Sequence, residues 1–474
     1  MAAISARLRN GGAIAIADDA LAALAAALRG SVALPGAGAY DEARTLWNGM
    51  FDRRPAFAVR ASGVGDVIAA VAFARRHDLL LTIRGGGHQI AGHAVADDAM
   101  LLDLSPMRSV RVDPIVHRAR AEPGVTLGDL DRETQAFGLA ASTGINSTTG
   151  IAGLTLGGGY GWLTRRHGMT IDNLTAADLV TADGAFVQAS AAQNADLFWA
   201  IRGGGGNFGV VTSFEFALQP VGPQVVAGLI IHPIADAPAL LRAYRALAAQ
   251  ASDALTVWAV LRAAPPLPFI PEAAHGLPML AFAVCHCGDP AEAERELAAL
   301  RALGTPLGSA LGPQPYVAWQ SLFDPMAAAG ARNYWKSNDF ASLSDELIDS
   351  LVAAAQAMPG PECDIYIAQV GGAMARVPAE DTAYPQRDAH YMVNFHTRWR
   401  DPADDARFVG WTRDLFARTA PHAIGSVYVN FMPEDDEARV AGAYGANMAR
   451  LAAIKRRWDP DNFFRANHNI RPAG

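Results

Sequence analysis

Cysteine is scarce in this sequence: three in 474 residues, Cys285, Cys287 and Cys363. Three cannot all pair within one chain, and a chain this long buries enough surface to fold without a disulfide framework. A reducing compartment fits, and a cytoplasmic location is expected. Cys285 and Cys287, in AFAVCHCGD, lie two apart on a strand-like run. No further metal ligand can be placed beside them, so they read as small buried residues. Basic runs are missing too. Lys and Arg total 39 against 47 Asp and Glu, a net charge of −8, which argues against a nucleic-acid partner. No stretch reaches the ~18 to 20 apolar residues of a membrane helix. The N-terminal run GGAIAIADDALAALAAAL is broken by Asp18 and Asp19 and has no convincing cleavage site after it, against a signal peptide. Internal repeats, low-complexity tails and a Walker A pattern are absent.

Apolar residues are plentiful, 51% of the chain, enough for more than one domain. AFAVRASGVGDVIAAVAFARRHDLLLTI reads strand, helix, strand. Ser62 is the expected helix cap, and Val64, Ile68 and Val71 repeat at i, i+4, i+7. Leu79 to Ile83 is a continuous apolar run, as expected for a strand covered on both faces. RGGGHQIAGH then leaves the C-terminal end of a strand, where ligands of α/β sheets commonly bind. Thr126 should cap the helix TLGDLDRETQAFG, and Asp183-Gly184 should turn a hairpin. Pro220 and Pro223 suggest a boundary. Beyond it, strands follow one another between longer helices, which predicts an antiparallel sheet with helices on one face.

Glycine is abundant and clustered. Three loops stand out: Gly85 to Gly87, GLTLGGGYG (Gly153 to Gly161) and GGGGNFG (Gly203 to Gly209). Successive N–H groups of such loops can cradle an anion such as pyrophosphate. The third loop contains Gly204, Gly206 and Gly209 in a G-x-G-x-x-G spacing, but the order is helix then strand. The acidic residue expected about 20 positions on is also missing, so the dinucleotide fingerprint is rejected. For the first loop three answers compete: a tight turn, a metal site pairing His88 with His93, or a phosphate seat with a reactive histidine at its edge. No carboxylate or cysteine completes a metal shell, and no metal is expected.

RRPAFAVRASGVGDVIAAVAFAR, IRGGGHQIAG, STTGIAGLTLGGGYGWLTRRHGMTIDNL, LFWAIRGGGGNFGVV, YVNF and DPDNFFRANHNI resemble, in order and spacing, the berberine-bridge-enzyme-like flavin oxidases. These belong to the vanillyl-alcohol-oxidase / p-cresol-methylhydroxylase (PCMH) superfamily. The resemblance covers roughly Tyr40 to Pro220 and Val427 to Pro472. It implies an α+β fold: a PCMH-type FAD-binding domain (1–223), an inserted antiparallel-sheet substrate domain (224–426), and a berberine-like segment (427–474) returning to the first. It implies FAD, held by Arg84, Gly85, Gly86, Gly87, His88 and Gln89. The second loop region contributes Gly144, Asn146, Thr149, Gly150, Gly153, Gly158, Gly159 and Gly161. Gly206, Asn207, Gly209, Val211 and Asn467 complete the set. The family's GGH histidine bonds to the flavin 8α-methyl carbon; here it is His88. Many members attach the flavin a second time through a cysteine, which aligns here with Asn146, so a single linkage is expected.

On the substrate side, the family's Y-x-N element falls on Tyr428 and Asn430, with Tyr428 implied as base. Their i, i+2 spacing puts both on one face of an expected strand. In HYMVNFHTRW, the position of a glutamate in some relatives falls on Asn394, and His396 is the alternative base. A polar outer face accounts equally well for His396. Arg376, Arg387, Tyr334 and Trp335 are weaker candidates for substrate contact. In relatives, valine three positions after the second anchor goes with oxidase behaviour, and leucine or isoleucine blocks oxygen; the corresponding residue is Thr149. The expectation is an FAD-dependent oxidase of a sugar, aromatic or natural-product alcohol, with O₂ as acceptor. The alternatives are a dehydrogenase or oxidative cyclase on the same site, or a flavin-binding drug-sequestration protein without turnover. The sequence says nothing of oligomeric state.

Overall fold

A computed structural model describes residues 3–474. Its N-terminal part holds two main sheets. In the first, Ser31–Ala33, Phe57–Arg60, Met100–Asp103 and Leu81–Arg84 lie in that order, and the last three strands run parallel. The helix Val64–Arg76 crosses between Phe57–Arg60 and Leu81–Arg84. The first glycine loop therefore does leave the C-terminal end of a parallel strand. That strand starts at Leu81 rather than Leu79, though Leu79 is still buried.

Two details of this helix differ from expectation. Ser62 does not cap it; Gly63 occupies the N-cap without a side-chain bond. The Asp66 carboxylate instead accepts from the N–H groups of Ser62, Arg29 and Gly30 at 2.7, 2.8 and 2.9 Å. The buried stripe is Val67, Ala70, Val71 and Ala74, whereas Val64 is 40% exposed. The apolar period was right, and its phase was displaced because valine and isoleucine outweigh alanine on any hydrophobic count. Thr126 caps Leu127–Gln135 as expected, in a reciprocal box with Asp129.

The second sheet is antiparallel, in the order Phe186–Ser190, Leu174–Val180, Val210–Ala217, Arg118–Ala121, Val110–Asp113. Its first pair is the hairpin turned at Asp183-Gly184.

A third, seven-stranded sheet draws every strand from residues 224–399. The order is Gly308–Pro315, Gln224–Pro233, Pro278–His286, Leu255–Ala263, Asp364–Gln369, Tyr391–Trp399, Arg332–Phe340, all antiparallel. Helices Ala237–Ala248, Pro290–Arg301, Asp345–Gln356 and Asp405–Thr419 cover one face. Leu241, Leu297, Leu351 and Leu415 pack there on Ile230, Leu280, Ile365 and Phe395. The opposite face turns toward the glycine loops. Tyr391–Trp399 is consequently buried along its whole length, so its polar residues do not form an outer face. Cys285, Cys287 and Cys363 are buried in this region, and no metal-binding cluster exists among the described residues. No helix of the described residues is long and apolar enough to cross a membrane.

Candidate active site

The three glycine loops, the C-terminal segment and the free face of the seven-stranded sheet enclose one cavity of about 640 Å³. That is within the roughly 300–1,000 Å³ of small-molecule sites. Gly85, Gly86, Gly87, His88, Gln89, Gly144, Asn146, Thr149, Gly150, Gly153, Gly206, Asn207, Gly209, Val211 and Asn467 all line it, as do Tyr428, Asn430 and His396. Segments separated by hundreds of residues meet here as anticipated.

Five anticipated residues stand behind the wall. Arg84 is ion-paired to Asp103 at 3.0 Å. Gly158 and Gly159 lie beneath Tyr428, and Gly161 packs on Thr143 and Gly144. Asn394 is fully buried and donates to the Tyr366 hydroxyl at 3.2 Å.

Two loops lock together through glycine. A Cβ on Gly86 would lie 2.5 Å from the Gly150 backbone, and one on Gly150 would lie 2.6 Å from Gly86. Only residues without side chains allow this approach, which brings the two loop backbones together at one wall. Such a side-chain-free wall fits a long, phosphate-bearing cofactor. Several buried polar atoms of lining residues have no partner among the described residues: Asn467 Oδ1, His468 Nε2 and the Tyr444 hydroxyl. Such atoms are costly unless something pairs with them.

His88 sits against Trp47, with ring centroids 5.2 Å apart. Desolvation and then the Arg84 charge push its pKa down to about 4, so the imidazole is neutral at physiological pH. Its tautomer follows from its neighbours. The Asn146 side-chain oxygen accepts from the Thr148 N–H at 3.0 Å and from the Thr148 hydroxyl at 2.7 Å. With its single proton committed, the Thr148 oxygen accepts from His88 Nε2 at 3.1 Å. Nδ1 is left with the lone pair.

Tyr428 and Asn430 are not on a strand. Tyr428 begins a short 3₁₀ turn, Val429–Phe431. The turn still joins the two side chains, because Asn430 Nδ2 donates to the Tyr428 oxygen at 3.0 Å and to the Leu154 carbonyl at 3.2 Å. The Gly159 N–H donates to the same phenolic oxygen at 2.9 Å. Gly159 has φ +76°, and a Cβ there would strike the Thr170 hydroxyl at 2.2 Å. Burial pushes the Tyr428 pKa up to about 12, and the two hydrogen bonds oppose it.

His396 is differently placed. Nε2 bonds the Asn333 side-chain oxygen at 3.0 Å and Nδ1 lies 3.3 Å from an Asp364 oxygen. Neither nitrogen is free to face a substrate. Of the weaker candidates, Trp335 lines the cavity. Tyr334 bonds Asp435, Arg376 pairs with Asp253, and Arg387 holds Asp172 through two 2.8 Å bonds. Sequence reading missed Trp47, Thr148, Tyr160, Trp258, Arg262, Asp364, Tyr366 and Phe431. Asp364 carried a signal, a carboxylate inside the apolar strand CDIYIAQ.

Residues 55–190 match the FAD binding domain family, and residues 427–471 match the berberine and berberine-like family. An FAD-linked oxidoreductase of Dictyostelium discoideum is 31% identical over 90% of this chain and 91% of its own. The (R)-6-hydroxynicotine oxidase of Paenarthrobacter nicotinovorans is 31% identical over 94% of this chain and 98% of its own. The crystal structure of 6-hydroxy-D-nicotine oxidase from Arthrobacter nicotinovorans superposes with a TM-score of 0.84 at 30% identity, covering 94% of this chain and 98% of that one. The shared fold is the PCMH-type, berberine-like arrangement, and the chain belongs to the berberine-bridge-enzyme-like family of FAD-linked oxidoreductases.

Proposed function

We propose that this protein is an oxidase of a small-molecule alcohol, with FAD attached through His88 alone and O₂ as the final acceptor. Residues 1–223 and 427–474 hold FAD, and residues 224–426 supply the substrate side. FAD held there would supply a two-electron acceptor for the carbinol hydride, with O₂ as final oxidant and hydrogen peroxide as its product. The chain's own residues do the rest. The glycine loops seat the diphosphate on backbone N–H groups. His88 Nδ1, on a neutral imidazole whose Nε2 is engaged by Thr148, is the attachment atom. Asn146 cannot form a thioether, and no cysteine lines the cavity among the described residues.

The observation that carries the reading is the Tyr428 oxygen inside the cavity, held by two donors. Both neighbours give protons, so the tyrosine's own hydrogen is turned away from them. As the phenolate, Tyr428 receives the substrate hydroxyl proton, and Gly159 and Asn430 stabilise the charge it carries beforehand. The engaged nitrogens of His396 support the tyrosine as base. The experiment is an anaerobic panel of alcohols scored by bleaching of the flavin absorbance, then by peroxide on admitting air. A protein that bleaches with none of them is a flavin-binding sequestration protein instead.

A further inference from the structure

The free face of the seven-stranded sheet divides into two halves. On one side, Leu229, Ile231, Val260, Met279 and Ala281 line the cavity with apolar side chains only. On the other, strand register sets a polar row. Arg262 pairs with Asp364, Asp364 with His396, and His396 with Trp335 across four adjacent strands. All four residues line the cavity. The three polar members are nearly buried, with side chains 13%, 12% and 9% exposed.

This row is only partly satisfied within the protein. The Arg262 Nε bonds the Ala263 carbonyl at 3.2 Å and Nη1 the Met326 sulfur at 3.1 Å. Nη1 is also 3.9 Å from Asp364 Oδ2, the oxygen that faces His396. Arg262 Nη2 and Asp364 Oδ1 have no partner among the described residues. A donor and an acceptor therefore stand on paired residues of neighbouring strands in the cavity wall, beside its apolar half. Their complement is an acceptor beside a donor in one planar group, which is an amide or lactam edge: the carbonyl takes the guanidinium N–H and the amide N–H goes to the carboxylate.

The space between this row and Tyr428 is aromatic. Phe431 contacts Tyr428 at 4.9 Å and Trp335 at 5.4 Å, and Trp335 contacts His396 at 4.6 Å, ring centre to ring centre. Tyr366 lies on the same strand as Asp364, two residues on and on the same face, about 7 Å along. Aromatic rings thus line the way from the reacting end to the polar row, a setting for a flat ring. A sugar, with hydroxyls around its whole rim, would leave most of them unpaired against the hydrocarbon half.

We propose that Arg262 and Asp364 form the specificity subsite of this cavity, and that it recognises an aromatic substrate whose end distal to the reacting carbinol bears an amide or lactam edge. His396 is a positioning residue that holds Asp364. The inference rests on Tyr428 marking the reacting end.

The test is calorimetric titration of the flavin-loaded protein with ligands that carry no carbinol: 4-methylbenzamide, 4-methylbenzoate and toluene. The amide should bind at least about tenfold more tightly than toluene, the usual effect of pairing otherwise unmet polar groups. Arg262→Met and Asp364→Asn should each bring that ratio close to one. Melting temperature and flavin absorbance identify any variant that has failed to fold. A ratio near one in the wild type overturns the proposal. So does tighter binding of the benzoate than of the amide, which would mean that Arg262 acts without Asp364, or a ratio that survives both substitutions. Flavin bleaching by the matching alcohol, 4-(hydroxymethyl)benzamide, is scored separately. Amide preference without bleaching by any alcohol sinks the oxidase reading and leaves the subsite standing; bleaching without amide preference does the reverse.

Discussion

The Gly159 N–H points at the phenolic oxygen of Tyr428 across 2.9 Å. This contact requires the glycine, because its φ of +76° and the Thr170 hydroxyl behind it leave no room for a side chain. The backbone of the second glycine loop thus reaches Tyr428 as well as lining the cavity. With Asn430 as second donor, the oxygen is prepared to carry negative charge in a cavity that otherwise resists it.

Tyr428→Phe should therefore leave folding and flavin attachment intact and slow flavin reduction by substrate by about 10²- to 10⁴-fold, the usual contribution of a proton-transfer group. The pH dependence has a defined sign. In the proposed role the working form is the phenolate, and burial holds the pKa up at about 12. Below that value the phenolate fraction rises about tenfold per pH unit, so log kcat/KM should climb with a slope near one through the alkaline range. Stopped-flow reduction across pH checks both. A profile that is already flat above neutral pH, or a Phe variant at full rate, removes Tyr428 from the role.

His88→Ala should bind FAD that acid precipitation releases, whereas wild-type flavin should stay with the protein on the peptide containing His88. Thr148→Val is the finer test. It removes the hydroxyl that fixes the His88 tautomer while keeping the shape of the side chain. Attachment should slow, with the non-covalent fraction accumulating early after reconstitution with FAD. Flavin on any other peptide would refute the single linkage.

Much of this was legible in the sequence, for a physical reason. Glycine clusters and the GGH element are local and survive as strings. So do the cap at Thr126 and the hairpin at Asp183-Gly184, which depend on residues a few positions apart. Tyr428 lies beside Asn430 in the cavity as expected, but on a turn instead of a strand. Alternation within YVNF fits a strand, and the tertiary bonds from Asn430 to Leu154 and Tyr428 that bend it into a turn leave no trace in spacing. Trp47 and Arg262 were not legible at all. Trp47 matters through its stacking on His88, 41 residues away in sequence, and Arg262 through strand register with Asp364. A buried carboxylate within CDIYIAQ was visible, but its partners lie on other strands.

Thr149 lines the cavity. Its N–H closes a turn on the Asn146 carbonyl at 3.1 Å, and its carbonyl accepts from Leu127. The backbone thus does the turn-forming work, and the side chain is left to shape the wall. Its small volume keeps the wall open, so air should rapidly reoxidise reduced enzyme with formation of peroxide. Thr149→Leu adds bulk without touching either backbone bond. Reoxidation should slow and reduction by substrate should stay nearly constant, measured by mixing photoreduced enzyme with oxygen. Wild-type reoxidation over minutes would make this protein a dehydrogenase.

Asp131 lies on the helix Leu127–Gln135 and is 1% exposed. One carboxyl oxygen accepts from Gln320 at 3.1 Å, and the other has no partner among the described residues. Burial pushes its pKa up to about 7, against the weaker opposing effect of Gln320. In the unfolded chain the value is about 3.9. Between those two values the folded protein binds a proton that the unfolded chain does not. Stability from this group is therefore greatest in acid, falls as pH rises from about 4 to about 7, and stays low above that. Asp131→Asn keeps the shape and the contact with Gln320 and removes the ionisation. It should be more stable than wild type by on the order of 2–4 kcal/mol at pH 8, with the gap shrinking by about 2 kcal/mol at pH 5. Urea denaturation of both proteins at the two pH values measures it. A gap that widens toward acid would mean that Asp131 is held ionised by a partner, and the buried, neutral carboxyl would be wrong.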